Sequence, residues 1–113
     1  MQIINKTTNI SLANEVIIAQ SFFKKAKGLL GVKEFKEGHA LIIKPCNSIH
    51  TFFMQISIDV IFVDAANIVV KCIPNLPPFR LSPIYFEASY VIELPAGTIN
   101  KTQVKTGDCL LIS

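Results

Sequence analysis

With 113 residues, half of them hydrophobic and 17% charged, the chain fits a single compact domain, residues 1–113, that buries about 65% of the surface its unfolded form would expose. A net charge of +3 excludes neither an anionic ligand nor an ordinary basic surface, so its distribution decides. No apolar run approaches the ~20 residues of a membrane span, and the opening MQIINKTTNIS lacks the basic start and apolar stretch of a signal peptide, which predicts a soluble, cytoplasmic protein with no membrane partner.

In chain order, QIINKTT and EVIIAQS carry β-branched residues bounded by Asn, Ser and Thr, which predicts two short strands forming an opening hairpin through a turn at NISLAN. In SFFKKAKGLLG, Ser21 can cap a helix and Gly28 or Gly31 can end it, with Phe22, Ala26 and Leu29 or Leu30 on one face. HALIIKP reads as a strand stopped by Pro45. Ser48 to Gln55 predicts another, with His50, Phe52 and Met54 on one face and Ile49, Thr51 and Phe53 on the other. Both faces are largely apolar, which suits a strand between two layers.

IDVIFV and IVVKCI flank DAAN, so residues 58–73 predict a hairpin closed by a four-residue loop around a type I turn. Four of the six prolines fall in PNLPPFRLSP, which predicts a stiff irregular loop. YVIELPAG and DCLLIS supply closing strands, with TGD as the turn before the last. The total is seven or eight short strands and one short helix, which predicts a mainly β sandwich or small barrel.

Charge and thiols narrow the chemistry. Five of the ten lysines lie between Lys24 and Lys36, but no arginine cluster, RNA-binding signature or zinc motif accompanies them; they read as a solvated helix side, with no nucleic-acid partner. Cys46, Cys72 and Cys109 are odd in number and form no CxxC pattern, which predicts buried thiols in a reducing compartment. A Cys46–His50 pair would span about 13 Å of extended chain, beyond the ~3 Å needed for thiol activation. His39, His50, Asp59 and the cysteines show no metal-ligand spacing. Neither a metal nor another cofactor is expected.

The blocks AKGLLG (26–31), SIHTFFM (48–54), IDVIFVD (58–64), IVVKCIPNLPP (68–78), YVIELPAG (90–97) and GD (107–108) together resemble the prokaryotic family known as domain of unknown function 192, over residues 21–112. The resemblance implies a mainly β, jelly-roll-like sandwich with a short helix. Many relatives carry an export signal or lipoprotein anchor, a segment not seen in this chain. It implies no activity, but it marks His50, Thr51, Met54, Asp59, Glu93 and Gly97 as motif positions.

Asp59 opens an apolar strand, where a carboxylate must find partners; it reads as an acceptor of backbone N–H groups or as a substrate contact. Glu93 within VIELPAG poses the same question: with Ile92 and Leu94 facing one layer it points to the other with Val91, and reads as either solvent-facing or paired. Arg80, the only arginine, sits in the proline-stiffened loop, where its planar fork could meet a carboxylate or phosphate. The candidate ligand-binding residues are therefore His50, Thr51, Met54, Asp59, Arg80 and Glu93. They predict a ligand- or partner-binding module whose ligand is a small anionic molecule. The competing readings are a small hydrolase or lyase using Asp59 and His50 as acid and base, and a structural accessory of an envelope or secretion assembly, suggested by exported relatives.

Overall fold

The computed structural model describes residues 1–19, 34–52 and 54–113. Along the chain run β1 (Ile3–Asn5), β2 (Ile10–Ala13), β3 (Glu15–Ala19), β4 (His39–Ile43), β5 (Ile58–Val63), β6 (Val69–Leu76), β7 (Tyr90–Pro95), a short helix α1 (Thr98–Thr102) and β8 (Leu110–Ile112). They form two open sheets, ordered β2-β1-β8 and β3-β4-β7-β5-β6. The mainly β sandwich expected from the sequence is present, without closure into a barrel. The helix predicted over residues 21–31 lies outside the described residues.

β5 is buried at all six positions and β7 at five of six, because the larger sheet is covered on both faces. This is why IDVIFV shows no polar alternation. On one face Ile61, Val63, Tyr90, Ile92 and Leu94 pack against Ile3, Leu12 and Leu110 of the smaller sheet. On the other, Val60, Phe62 and Val91 pack under Ile49, Met54 and Ala88. These last three residues come from connecting segments, which thus form a third layer. Each large aliphatic side chain removed from water in this way contributes about 1.5–3 kcal/mol.

Three local expectations change. NISLAN is not the hairpin turn: the turn occupies residues 6–9, where Asn9 takes a positive φ of 62°, and Ile10–Ala13 is itself the strand that pairs with β1. β3 instead runs parallel to β4 in the other sheet. Asn at both ends made ISLA look like a turn, although its Leu12 and Ala13 are core residues.

The second change concerns Ser48 to Gln55, whose described residues form no ladder strand; a bridge joins His50 to Leu81. The Met54 N–H donates to the Thr51 carbonyl at 3.1 Å, a bond that an extended strand does not make. Met54 is consequently buried while His50 and Phe52 face solvent, so the three do not share a face. The apolar character of this segment reflects its place over the sheet rather than within it.

Third, β6 continues through Pro74 and Asn75 to Leu76, the first residues of the predicted proline loop. It is an edge strand of the larger sheet, where the missing N–H of Pro74 costs no ladder bond. The β5–β6 connection matches its expectation: Asp64 Oδ1 accepts from the Ala66 and Ile68 N–H groups, each at 2.9 Å, and Asn67 supplies the left-handed residue with φ 64°. In the smaller sheet β1 lies between β2 and β8, and the two ends of the chain are stitched by Gln2 N–H to Ser113 O (2.7 Å) and Ser113 N–H to Gln2 O (3.0 Å).

Candidate functional site

The sequence pointed to two segments, one around His50 and one around Arg80, and the fold lays them side by side. Thr51 is the joint between them. Its N–H donates to the Arg80 carbonyl at 2.8 Å and its carbonyl accepts from the Phe79 N–H at 3.0 Å. Its hydroxyl donates to the Pro77 carbonyl at 2.7 Å and accepts from the Arg80 N–H at 2.9 Å. Next to it, Ser82 N–H donates to the Ile49 carbonyl and Ile49 N–H donates to Ser82 Oγ, both at 2.9 Å. Thr51 is fully buried, so its polar atoms serve this joint.

Above the joint the side chains alternate outward. His50 stacks on Phe52 with ring centroids 5.2 Å apart and planes 23° apart. Leu81, which bridges to His50, and Phe79 are 69% and 63% exposed, and Ile84 and Phe86 are exposed further along the same loop. Arg80 projects from the same loop; among the described residues its guanidinium is held by the Phe79 carbonyl at 3.4 Å. Residues 72–86 contain no acidic side chain, and neither do residues 45–58. The rim therefore combines exposed apolar groups with one permanent cation on a rigid backbone. Met54 lies underneath, in the core cluster with Ile49 and Val60.

Asp59 lies on the opposite face of the larger sheet. Its side chain is completely buried, with Oδ1 accepting from the Asn75 N–H at 2.8 Å and Oδ2 from the Ile99 N–H at 2.7 Å. α1 begins at Gly97, which has a positive φ of 100° and no side chain to cap the helix, so a carboxylate from β5 satisfies the first turn instead. The partners that the sequence required for this residue are both backbone groups. They tie β5 to β6 and to α1 and leave no oxygen directed at His50.

Glu93 is different. It sits on β7, the central strand of its sheet, directly opposite Leu41 on β4 and Val60 on β5. Only 5% of it is exposed, and Oε2 has no hydrogen-bond partner among the described residues. Burial pushes its carboxyl up to about 7 from the ordinary 4.5. A buried acid that titrates near neutrality is suited to proton exchange, but among the described residues neither His50 nor Arg80 is bonded to it. The structure thus gathers His50, Thr51 and Arg80 at one rim, places Met54 beneath it, and holds Asp59 and Glu93 apart.

A concave feature lies elsewhere, in residues the sequence did not single out. Lys44, Pro45, Ala65, Asn67, Ser89 and Tyr90 line a cavity of about 520 Å³. A second, of about 400 Å³, adjoins it through Pro45 and Ser89 and includes Cys46, Asn47 and Ala88. The Lys44 ammonium lies 5.3 Å from the centroid of the Tyr90 ring, and the Tyr90 hydroxyl donates to Asn67 Oδ1 at 2.7 Å. These residues come from the ends of β4 and β7 and from the β5–β6 turn, and only strand order brings them together. Among the described residues no three of His, Cys, Asp and Glu converge as a metal group, and no helix is long and apolar enough to cross a membrane.

Comparison with known proteins agrees with the architecture. Residues 3–112 match the domain of unknown function 192 family, described as an uncharacterised conserved region. A UPF0127 protein of Pyrococcus horikoshii is 41% identical over 94% of this chain and 94% of its own length, and one of Pyrococcus abyssi is 39% identical over 94% and 92%. Among solved structures, a protein of unknown function from Novosphingobium aromaticivorans superposes with a TM-score of 0.87 at 20% identity, covering 99% of this chain and 84% of that one. A chain from Sinorhizobium meliloti gives 0.83 at 19% identity, covering 97% and 89%. At such identities these two likenesses concern the fold alone. The chain belongs to the domain of unknown function 192 family, whose curated relatives carry the name UPF0127.

Proposed function

We propose that this protein is a binding module that captures a partner protein on the rim formed by residues 49–52 and 77–86. The observation that carries this reading is the exposure of Phe52, Phe79, Leu81, Ile84 and Phe86 on the segments that Thr51 locks together. Several large apolar side chains exposed on two adjoining segments are what an interaction site presents, and a backbone already ordered lowers the entropic cost of docking. Arg80 supplies a cation and residues 77–86 no acid, with Glu87 following at the far end of the rim, so the complementary surface presents carboxylates beside apolar side chains.

The test is selection of peptides from a displayed library on the wild-type protein, followed by chemical-shift mapping. Acidic, apolar peptides should be enriched and should shift amides at 49–52 and 79–82. Phe79→Ser and Arg80→Glu, both at exposed positions, should each weaken binding by about tenfold or more. Enrichment of basic peptides, or affinity indifferent to both substitutions, would overturn the reading, as would concentration-dependent dimerisation through the rim, since the occupant would then be a second copy.

A further inference from the structure

The cavity beside the β5–β6 turn has a chemistry unlike that of the rim and is argued independently of it. We propose that it binds a small anion, a carboxylate or phosphate attached to a flat apolar body.

Lys44 provides the charge. Among the described residues the ion pairs are Lys101 with Glu37 and Lys105 with Asp108, so no carboxylate neutralises Lys44; its ammonium instead rests near the Tyr90 ring, an arrangement that orients it without quenching its charge. Asn67 provides a directed donor. Its Oδ1 is occupied by the Tyr90 hydroxyl, which fixes the amide and leaves the Nδ2 hydrogens to be donated. The phenol keeps its proton, since burial, with Asp64 and Cys109 adding to it, raises its pKa.

Ser89 provides the third group. Its N–H donates to the Val63 carbonyl at 2.7 Å and its carbonyl accepts from the Cys46 N–H at 3.1 Å, so the backbone is pinned, and among the described residues the hydroxyl has no partner and can meet a ligand. An ammonium, an amide donor and a hydroxyl therefore line one concavity that contains no acidic residue. Asp64, in the neighbouring turn, does not line it and spends Oδ1 on two backbone N–H groups. Pro45, Ala65 and the Tyr90 ring supply apolar walls, and the adjoining space over Ala88 accommodates the body of the ligand. A volume of about 520 Å³ falls within the range that small-molecule sites occupy.

The experiment is a two-dimensional NMR titration of the full chain with inorganic phosphate in one arm and benzoate in the other. Saturable shifts at Ala65, Asn67, Ser89 and Tyr90 with a Kd of about 1 mM or tighter in either arm are expected, and the arm that responds identifies the anion class. Lys44→Met and Ser89→Ala should each weaken binding by about fivefold or more, whereas Arg80→Ala should leave it unchanged. Non-saturating shifts in both arms, shifts confined to other residues, or an affinity that survives Lys44→Met would overturn the assignment.

Discussion

Glu93 is the residue whose chemistry reaches furthest. Between Leu41 and Val60 the carboxyl is withdrawn from water, and among the described residues no donor reaches Oε2, so burial makes the folded protein favour the neutral acid. In the unfolded chain the group ionises from its ordinary 4.5, and in the folded chain only from about 7. Between these values the unfolded chain holds fewer protons, and raising the pH favours unfolding. The stabilisation associated with the neutral acid is complete below about 4.5 and is lost by about 7, a change of about 3 kcal/mol. Urea unfolding at about pH 5 and about pH 8 measures it: the wild type should be less stable at the higher pH, and Glu93→Gln should remove most of the difference. An undiminished difference in Glu93→Gln would locate the titrating group elsewhere. Asp108 works in the opposite sense at lower pH. Burial works against its charge, but hydrogen bonds from Asn5 and from the Lys105 N–H, with the Lys105 ammonium, keep its carboxyl below the usual value.

Among the elements, Asp59 shows how one side chain can hold three of them together. β5 carries it, β6 donates through Asn75 and α1 donates through Ile99. Both bonds are charge-assisted and buried, and losing the acceptor strands two backbone N–H groups. Asp59→Ala should therefore lower stability by about 2 to 4 kcal/mol and speed hydrogen exchange at Asn75 and Ile99. Asp59→Asn, which keeps one acceptor oxygen but turns an amide toward the other donor, should cost somewhat less. An unchanged urea midpoint for both variants would show that α1 and β6 hold their places without this carboxylate.

The same scale explains which elements could be read from the sequence. β4, β5 and β7 are central strands buried on both faces, so their unbroken apolar runs announced them. β2 was hidden because only Leu12 and Ala13 of its four residues are buried. The segment around His50 imitated a strand because a loop that covers a sheet is as apolar as the sheet it covers. Site residues were legible where chemistry was local: Asp59 demanded partners wherever it lay. The grouping of Lys44 with Asn67 and Ser89 was not legible, because it exists only once β7 has taken its place between β4 and β5.

At the scale of the whole molecule, the larger sheet is enclosed by two unlike layers, a second sheet on one side and connecting segments on the other. The rim and the Lys44 cavity both draw on those connecting segments, while the face toward the smaller sheet is given over to the core cluster that joins Ile3 to Leu110. Binding surfaces of this kind sit on irregular backbone held by a rigid frame. Substitutions at the rim can therefore be tested without disturbing the sandwich beneath.

The stitching of Gln2 to Ser113 has a consequence for the order of folding. β1 is made well before β8, one of its two neighbours in the smaller sheet. Until residues 110–112 have been added, one edge of β1 has no strand to pair with, and Ile3 lacks the cover of Leu110. Pairing of β1 with β8 thus waits on the intervening residues, and contacts so remote in sequence slow folding. A chain ending at Asp108 lacks that partner strand. It should bind a hydrophobic dye and unfold at a markedly lower urea concentration than the full chain; equal midpoints would mean that the sandwich closes without its last strand.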